Sequence, residues 1–298
     1  MQDARRRGGT ALLCAGLLFM AALCAPSWCW PGTGATAAQP WQGLPPTPRL
    51  PEATASGIAA VNGVRLYFAR FGTGYPLLLL HGGLANADYW GSVIPRLVAG
   101  HFAVIVLDSR GHGRSTRTDQ PYSYALLASD VLAFLDYLKL PQVDLVGWSD
   151  GGIIGLDLAM QHPDRLHRLA VYGANSDPSG VRDGIDTNPV FGAYIARTRR
   201  EYSMLSPTPR DYARFLAQIE AMWAAEPRYT RADLQSIHTP TLVFDGAHDE
   251  AIKREHTEYL AQTIPGARLV ILDGVSHFGM IQDPARFAAT VIDFLTAE

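Results

Sequence analysis

Val146-Gly147-Trp148-Ser149-Asp150-Gly151-Gly152 is the stretch on which the reading of this chain turns. It contains Gly-x-Ser-x-Gly, set between a predicted strand (Val143–Val146) and a helical pattern (Ile153–Gln161). A strand that turns at once into a helix forces strained backbone angles on the residue at the corner. The positions two before and two after it must then be nearly free of side chain. Gly147 and Gly151 meet that demand. The turn lifts the Ser149 hydroxyl above the strand end, with a helix N-terminus beneath it.

The flanking sequence supplies the sheet that such a corner requires. Leu77–Leu80 is a continuous apolar run ending at His81-Gly82-Gly83, the pattern of a parallel strand buried on both faces. Ile58–Val61 and Val64–Phe71 flank Asn62-Gly63, which predicts a hairpin. Further strands are predicted at Ala103–Leu107, Leu169–Tyr172, Thr241–Phe244 and Arg268–Leu272. Helices are predicted at Ala87–Val98 and at Tyr124–Leu138, the latter with Leu127, Val131, Phe134, Leu135 and Leu138 at helical spacing. Alternation over this length predicts an α/β fold with a doubly wound, mostly parallel sheet.

Between about 175 and 237 the alternation stops. Three helices are expected there, over roughly Pro189–Met204, Asp211–Ala225 and Arg231–Ser236. About sixty residues make a marginal core for a separate domain. The segment is therefore read as a helical cap over the C-terminal edge of the sheet, where α/β sheets bind ligands. Its aromatic residues Phe191, Tyr194, Tyr202, Phe215 and Trp223, with Met222, are candidates for an apolar wall, although such stripes also serve packing.

A serine hydroxyl needs a base to take its proton. Of the nine histidines, His277 is best placed, in the loop after the last predicted strand. The base needs an acceptor to hold its tautomer. Asp249, just beyond strand Thr241–Phe244, is the favoured acid, with Asp245 and Glu250 as alternatives. The order Ser, Asp, His suits this fold class. The oxyanion requires preorganised donors. These are expected from the backbone N–H of Asp150 and that of Gly83, with Leu84 as the alternative to the latter. Leu84, Trp148 and Trp223 are the candidate substrate contacts, Trp148 being equally suited to the core. The Asp150 side chain has two readings: a first-turn acid complementing the helix dipole, or a pocket group favouring ammonium-bearing substrates. Asp108–Ser115, with His81 and His112, reads as structural turns. No metal-ligand spacing accompanies His248, Asp249 and Glu250, so no metal site is expected.

Composition narrows the setting. Apolar residues are 48% and charged residues 18% of 298, ordinary for a protein with a substantial core. A formal charge of −3, with no basic run beyond the N-terminus, gives no reason to expect a nucleic-acid partner. Arg5-Arg6-Arg7, the apolar stretch Ala11–Ala25 and the small residues Ala35-Thr36-Ala37-Ala38 describe a secretory signal peptide over 1–38. An uncleaved membrane anchor is the alternative, for which the run is short. All three cysteines, Cys14, Cys24 and Cys29, lie in that segment, so a product cut near Ala38 holds no disulfide and no membrane segment. Three Arg and one Asp leave with it, taking the charge from −3 to −5. Residues 39–56, with five prolines, read as a linker that does not pack.

From about Gly57 to Glu298 the chain resembles the α/β-hydrolase superfamily. The motifs His81-Gly82-Gly83, Asp108-Ser109-Arg110-Gly111-His112-Gly113-Arg114-Ser115, Gly147-Trp148-Ser149-Asp150-Gly151-Gly152, Gly246-x-x-Asp249 and Ser276-His277-Phe278 stand in family order. The Gly-Trp-Ser-Asp-Gly-Gly elbow is similar to that of biphenyl-hydrolase-like esterases. The resemblance implies a cofactor-free serine hydrolase acting on a small-molecule ester, with amides or lactones as related substrates, and the N-terminal segment makes it an exported one. Epoxide hydrolases and haloalkane dehalogenases of the superfamily use an aspartate nucleophile, against which Ser149 argues. Carbon–carbon bond hydrolysis and cofactor-free peroxidation are alternatives on the same fold. A further alternative is a binding protein that keeps the fold without turnover.

Overall fold

The computed structural model describes residues 39–297; the segment read as a signal peptide, and with it every cysteine, lies outside them. The hairpin comes first, as β1 (Ala55–Val61) and β2 (Val64–Phe71). Asn62 and Gly63 both take positive φ, 46° and 75°, the backbone of a turn whose twist matches that of the flanking strands. Then follow β3 (Tyr75–Leu80), α1 (Ile94–Ala99), β4 (Phe102–Leu107), α2 (Tyr124–Tyr137), β5 (Val143–Trp148), α3 (Asp150–Gln161) and β6 (Leu166–Tyr172). The next segment is helical: α4 (Pro189–Leu205), α5 (Tyr212–Ala225) and α6 (Arg231–Gln235). The chain returns to the sheet with β7 (Thr241–Gly246), α7 (Arg254–Thr263) and β8 (Arg268–Leu272), and ends in α8 (Gly279–Gln282) and α9 (Pro284–Leu295).

The strands form one sheet in the order β1-β2-β4-β3-β5-β6-β7-β8. β1 and β2 pair antiparallel, as do β2 and β4, while every pair from β4–β3 to β7–β8 is parallel. This is the α/β-hydrolase fold. Burial explains the apolar runs. Leu78 and Leu80 face one core together with Ile105, Leu145 and Val171. Leu77 and Leu79 face the other with Val104, Val146 and Ala170. Side chains alternate across a strand, so a strand covered on both faces favours apolar residues at nearly every position.

Two expectations are corrected. The helix predicted over Ala87–Val98 is broken into a 3-10 turn at Ala87–Trp90 and the short α1. Gly91 sits at the break, where a Cβ would lie 2.3 Å from the Arg49 carbonyl oxygen, and Pro95 falls in the first turn of α1. Periodicity alone does not register that neighbour. Residues 39–56 are not a free linker. Pro40–Gln42 form a 3-10 turn, and Trp41 stacks on His248 at 4.1 Å between ring centroids. Arg197 of α4 donates to the carbonyls of Pro45 (2.6 Å) and Leu44 (2.9 Å). Extended proline-rich chain leaves its carbonyls unpaired, and a guanidinium with five donors takes two of them.

The Asp108–Ser115 stretch ties the loops above β4. Asp108 accepts from the N–H groups of Ala87 and Arg114, both at 2.7 Å. Arg110 is 1% exposed and pairs with Asp130 of α2 through two hydrogen bonds of 2.6 Å. Its second terminal nitrogen also reaches the Asn62 carbonyl, so one residue joins the hairpin, α2 and the β4 loop. Removing one partner of a buried ion pair leaves the other charge desolvated and unmatched. Asp130→Ala is therefore expected to lower stability by about 3–5 kcal/mol, measured by denaturant unfolding; a loss within experimental error would show that the pair is dispensable.

Candidate active site

At the corner between β5 and α3, Ser149 has φ 54° and ψ −118°. A positive φ in a non-glycine residue is strained and persists only where the surroundings over-determine it. Here the Ser149 N–H donates to the Tyr172 carbonyl of β6 (2.8 Å), and the first turn of α3 packs against neighbouring backbone. A Cβ on Gly147 would stand 2.2 Å from the Gly151 carbonyl oxygen, and one on Gly151 would stand 2.2 Å from that of Leu80. Both glycines are required by backbone approach rather than by positive φ. Asp150 is the first residue of α3, so its N–H has no acceptor within the helix.

His277 lies in the loop between β8 and α8. Its backbone N–H donates to Glu250 (3.0 Å), whose carboxylate also accepts from the Ser276 hydroxyl (3.2 Å). The ring Nδ1 is 2.7 Å from an Asp249 carboxylate oxygen. Facing a carboxylate, which offers no donor, Nδ1 carries the proton and leaves Nε2 as the acceptor. The other Asp249 oxygen accepts from the N–H groups of Ala251 and Ile252, both at 2.6 Å. Gly173, with φ 59°, leaves the room: a Cβ there would fall 2.8 Å from His277 Nδ1. Of the three candidate acids, Asp249 faces the imidazole. Glu250 holds the histidine loop, and Asp245 lies behind Asp249, where its carboxylate accepts from the Gly246 N–H and the Thr257 hydroxyl.

Ser149 and His277 open into one cavity of about 350 Å³. Its apolar wall comes from Val181, Ile185, Phe191, Ala251 and Ile252; its polar end from Tyr124, Asp150 and Glu226. Trp223 lines it as expected, and its indole N–H donates to Asp150 at 2.9 Å. Trp148 and Leu84 do not line it. Trp148 is 1% exposed, among Tyr89, Tyr194 and Phe278, and packs behind the His277 ring. Leu84 takes φ 65° and turns into the core. Strand alternation explains Trp148: neighbouring positions at a strand end point to opposite faces, and only Ser149 is lifted out by the corner. Of the cap residues, Phe191 lines the cavity, whereas Tyr194, Tyr202, Phe215 and Met222 are core. Sequence reasoning does not anticipate Tyr124, Asn175 or Ile185; Ala251 and Ile252 were findable as the residues that follow the acid.

Gly83 meets the cap directly. Its carbonyl accepts from the Tyr194 hydroxyl of α4 (2.5 Å). A Cβ on it would lie 2.4 Å from the Trp223 ring and 2.5 Å from an Asp150 carboxylate oxygen. The Asp150 side chain is thus no exposed helix-dipole partner. It is buried against the loop, hydrogen-bonded by Trp223 and by the Tyr124 hydroxyl (2.9 Å), and lines the cavity.

Burial governs the electrostatics. It pushes Asp150 up to about 6, against the Trp223 and Tyr124 hydrogen bonds and the His277 charge. It pushes Asp249 up to about 6 as well, opposed by a hydrogen bond from Asp245 and by the Ile252 and Ala251 N–H groups. The same desolvation holds His277 below the ordinary imidazole value, against the negative charges of Glu250, Asp245 and Asp150. The ring is therefore neutral near neutral pH, the state in which a base can accept a proton.

These observations describe a hydrolase-type site, and sequence comparison agrees with the fold. The chain belongs to the alpha/beta hydrolase family, whose profile matches residues 77–290. It is similar to the 2-hydroxymuconate semialdehyde hydrolase of Pseudomonas sp. (strain CF600), 30% identical over 78% of this chain and 91% of that protein. It is similar also to the serine hydrolase BPHL of Mus musculus, 28% identical over 82% of this chain and 87% of that one. Among solved structures it resembles the enol-lactonase of Burkholderia xenovorans LB400, with a TM-score of 0.65 and 27% identity, covering 81% of this chain and all of that one.

Proposed function

We propose that this chain is a serine hydrolase of carboxylic esters, with lactones and amides as related substrates, working through an acyl-enzyme on Ser149. The observation that carries the reading is a serine held at φ 54° on the same cavity as a histidine whose Nδ1 is 2.7 Å from Asp249. Ser149 Oγ attacks the carbonyl while His277 Nε2 takes its proton, and Asp249 orients the ring and balances the imidazolium. The N–H groups of Gly83 and Asp150 receive the oxyanion. His277 returns the proton to the departing alcohol, then serves as base for the water that releases the acid. A lactone is a cyclic ester, so the enol-lactonase likeness points to the same bond type. The expected turnover of a short-chain chromogenic ester falls by roughly 10⁴–10⁶ in Ser149→Ala, and a serine-directed phosphonate labels Ser149 in the parent protein. Unchanged turnover in Ser149→Ala would identify the wrong nucleophile. No turnover and no label would favour the non-catalytic binding reading, and cleavage of a carbon–carbon bond substrate in preference to esters would favour the other chemistry.

Asp150 refines the substrate class. Its hydrogen-bond partners Tyr124 and Trp223 are neutral donors, and with burial pushing it up to about 6 it is mostly ionised at neutral pH. A substrate ammonium supplies the missing countercharge. Asp150→Asn is expected to lower kcat/KM for aminoacyl esters by about tenfold or more while sparing neutral esters of the same size. Equal changes in both would remove this specificity.

We also propose that residues 1–38 are an export signal, resting on the basic, apolar and small-residue order of the segment. Intact-mass analysis of protein from a secreting bacterial host is expected to give a species beginning near Gln39. Retention of Met1 on membrane-bound material would favour the anchor instead.

A further inference from the structure

The polar end of the active-site cavity presents acceptors, because its donors are already used within the protein. The Tyr124 hydroxyl and the Trp223 indole N–H donate to Asp150, both at 2.9 Å. The Tyr124 backbone N–H donates to Glu226 at 2.9 Å, and the Asn175 side-chain amide donates to the Asp177 carbonyl at 2.8 Å. What these bonds leave over is lone pairs, on Asp150, Glu226 and Asn175, and all three residues line the cavity. Among the described residues, no lysine or arginine lines it.

Asn175 shows that a partner is missing. It follows β6 and is 5% exposed. With Nδ2 held on the Asp177 carbonyl, Oδ1 takes the other end of the amide, and no donor among the described residues reaches it. A buried amide oxygen is normally paired, so on a ligand cavity the donor arrives with the ligand. Glu226 adjoins this position. The Tyr229 N–H donates to the Ser176 carbonyl at 2.9 Å, which holds the chain bearing Asn175 against the turn after α5 that carries Glu226. One Glu226 oxygen serves the Tyr124 N–H at the start of α2, a capping contact. No donor among the described residues reaches the other oxygen.

We propose that Asn175 and Glu226 form a second subsite, separate from Asp150, that takes a cationic group at the far end of the substrate's acyl chain. This rests on the acyl-enzyme reading above and deepens it. The favoured substrates are esters of basic amino acids, with the α-ammonium at Asp150 and the side-chain ammonium or guanidinium at Glu226 and Asn175. An ammonium has three donors and a guanidinium five, so either can serve a carboxylate oxygen and an amide oxygen together. A hydroxyl could satisfy Asn175, but it would leave Glu226 without a countercharge. The apolar wall of Val181, Ile185 and Phe191 suits the methylene stem of such a side chain, since cationic side chains lay their stems along apolar surface. A cavity of about 350 Å³ stands at the small end of ligand pockets, in keeping with an aminoacyl group.

The test compares two pairs of ethyl esters. Lysine and norleucine share the α-ammonium and differ in the terminal ammonium; arginine and citrulline both carry terminal N–H donors and differ in charge. The parent protein is expected to favour lysine over norleucine, and arginine over citrulline, by about tenfold or more in kcat/KM. Glu226→Gln keeps an oxygen for the Tyr124 N–H and is expected to lower both ratios by about tenfold. Asn175→Leu is expected to lower the lysine-to-norleucine ratio, whereas Asn175→Asp, which also gives up the Asp177 contact but keeps an acceptor and adds charge, preserves or raises it. A purely structural role for Asn175 would move the two variants alike. Asp150→Asn is expected to slow lysine and norleucine esters by the same factor, which keeps the Asp150 reading separate from this one. The preference is also read without turnover, as the ratio of dissociation constants for lysinamide and norleucinamide in the Ser149→Ala protein by calorimetry. A subsite without hydrolysis would thus be told apart from hydrolysis without the subsite. Equal use and equal binding of the lysine and norleucine compounds, ratios unmoved in Glu226→Gln, or the same ratio in Asn175→Leu and Asn175→Asp would each overturn the proposal.

Discussion

The corner at Ser149 is the constraint around which the rest of the molecule is arranged. A non-glycine residue at φ 54° costs of the order of 1–3 kcal/mol, which neighbouring contacts must offset. The offset is spread over three strands. β6 supplies the Tyr172 carbonyl for the Ser149 N–H, β5 supplies a glycine that lets α3 start against it, and the end of β3 lies against Gly151. Because β5 sits between β3 and β6, the corner has a neighbour on each side, and both contribute. The close approach at Gly151 also brings the loop carrying Gly83 to the start of α3. The strain at Ser149 and the placement of the Gly83 loop are therefore one packing arrangement.

The protein treats negative charge differently in its scaffold and at this site. Where Asp108 and Asp130 brace loops, each meets a guanidinium, Arg114 at 3.3 Å and Arg110 at 2.6 Å. At the C-terminal end of the sheet, the donors to Asp150, Asp249 and Glu250 are backbone N–H groups, hydroxyls, an indole and an imidazole. A nearby guanidinium would stabilise these carboxylates further, but it would also oppose a positive charge on His277. Neutral donors hold these carboxylates in place and leave their field directed at the His277 ring, where the proposed hydrolysis would develop positive charge.

Legibility from sequence followed the range of the interactions. The parallel strands were readable because burial on both faces leaves a continuous apolar run, as in Leu77–Leu80. Gly147 and Gly151 were readable because the steric demand of the corner is local. The choice of Asp249 over Asp245 was only a preference in the sequence, because both lie at or just beyond one strand end; the deciding contact comes from a loop 28 residues later. The same limit accounts for the misplaced contacts. Trp148 and Leu84 adjoin functional positions, yet strand alternation and a positive φ turn them into the core. Tyr124 left no trace, since as the first residue of a helix it looks like any other aromatic on a buried face. Its meaning comes only from Asp150 across the cavity.

The proline-rich segment shows why composition misleads when the partner is distant. Extended chain with few internal hydrogen bonds looks like a linker, and it behaves as one unless something collects its carbonyls. Here Arg197 collects two, while Thr47 donates to Glu201 in the same cap helix (2.5 Å). At its other end Trp41 covers His248, next to Asp249, and the Gly43 carbonyl accepts from Gln282, whose own oxygen receives the Ser276 N–H. The segment thus bridges α4 and the loops that carry Asp249 and His277. If residues 1–38 are the export signal proposed above, these contacts bear on where the cut would fall. A cut near Ala38 spares Trp41 and everything after it, whereas a cut even a few residues later removes a ring stacked beside the acid loop.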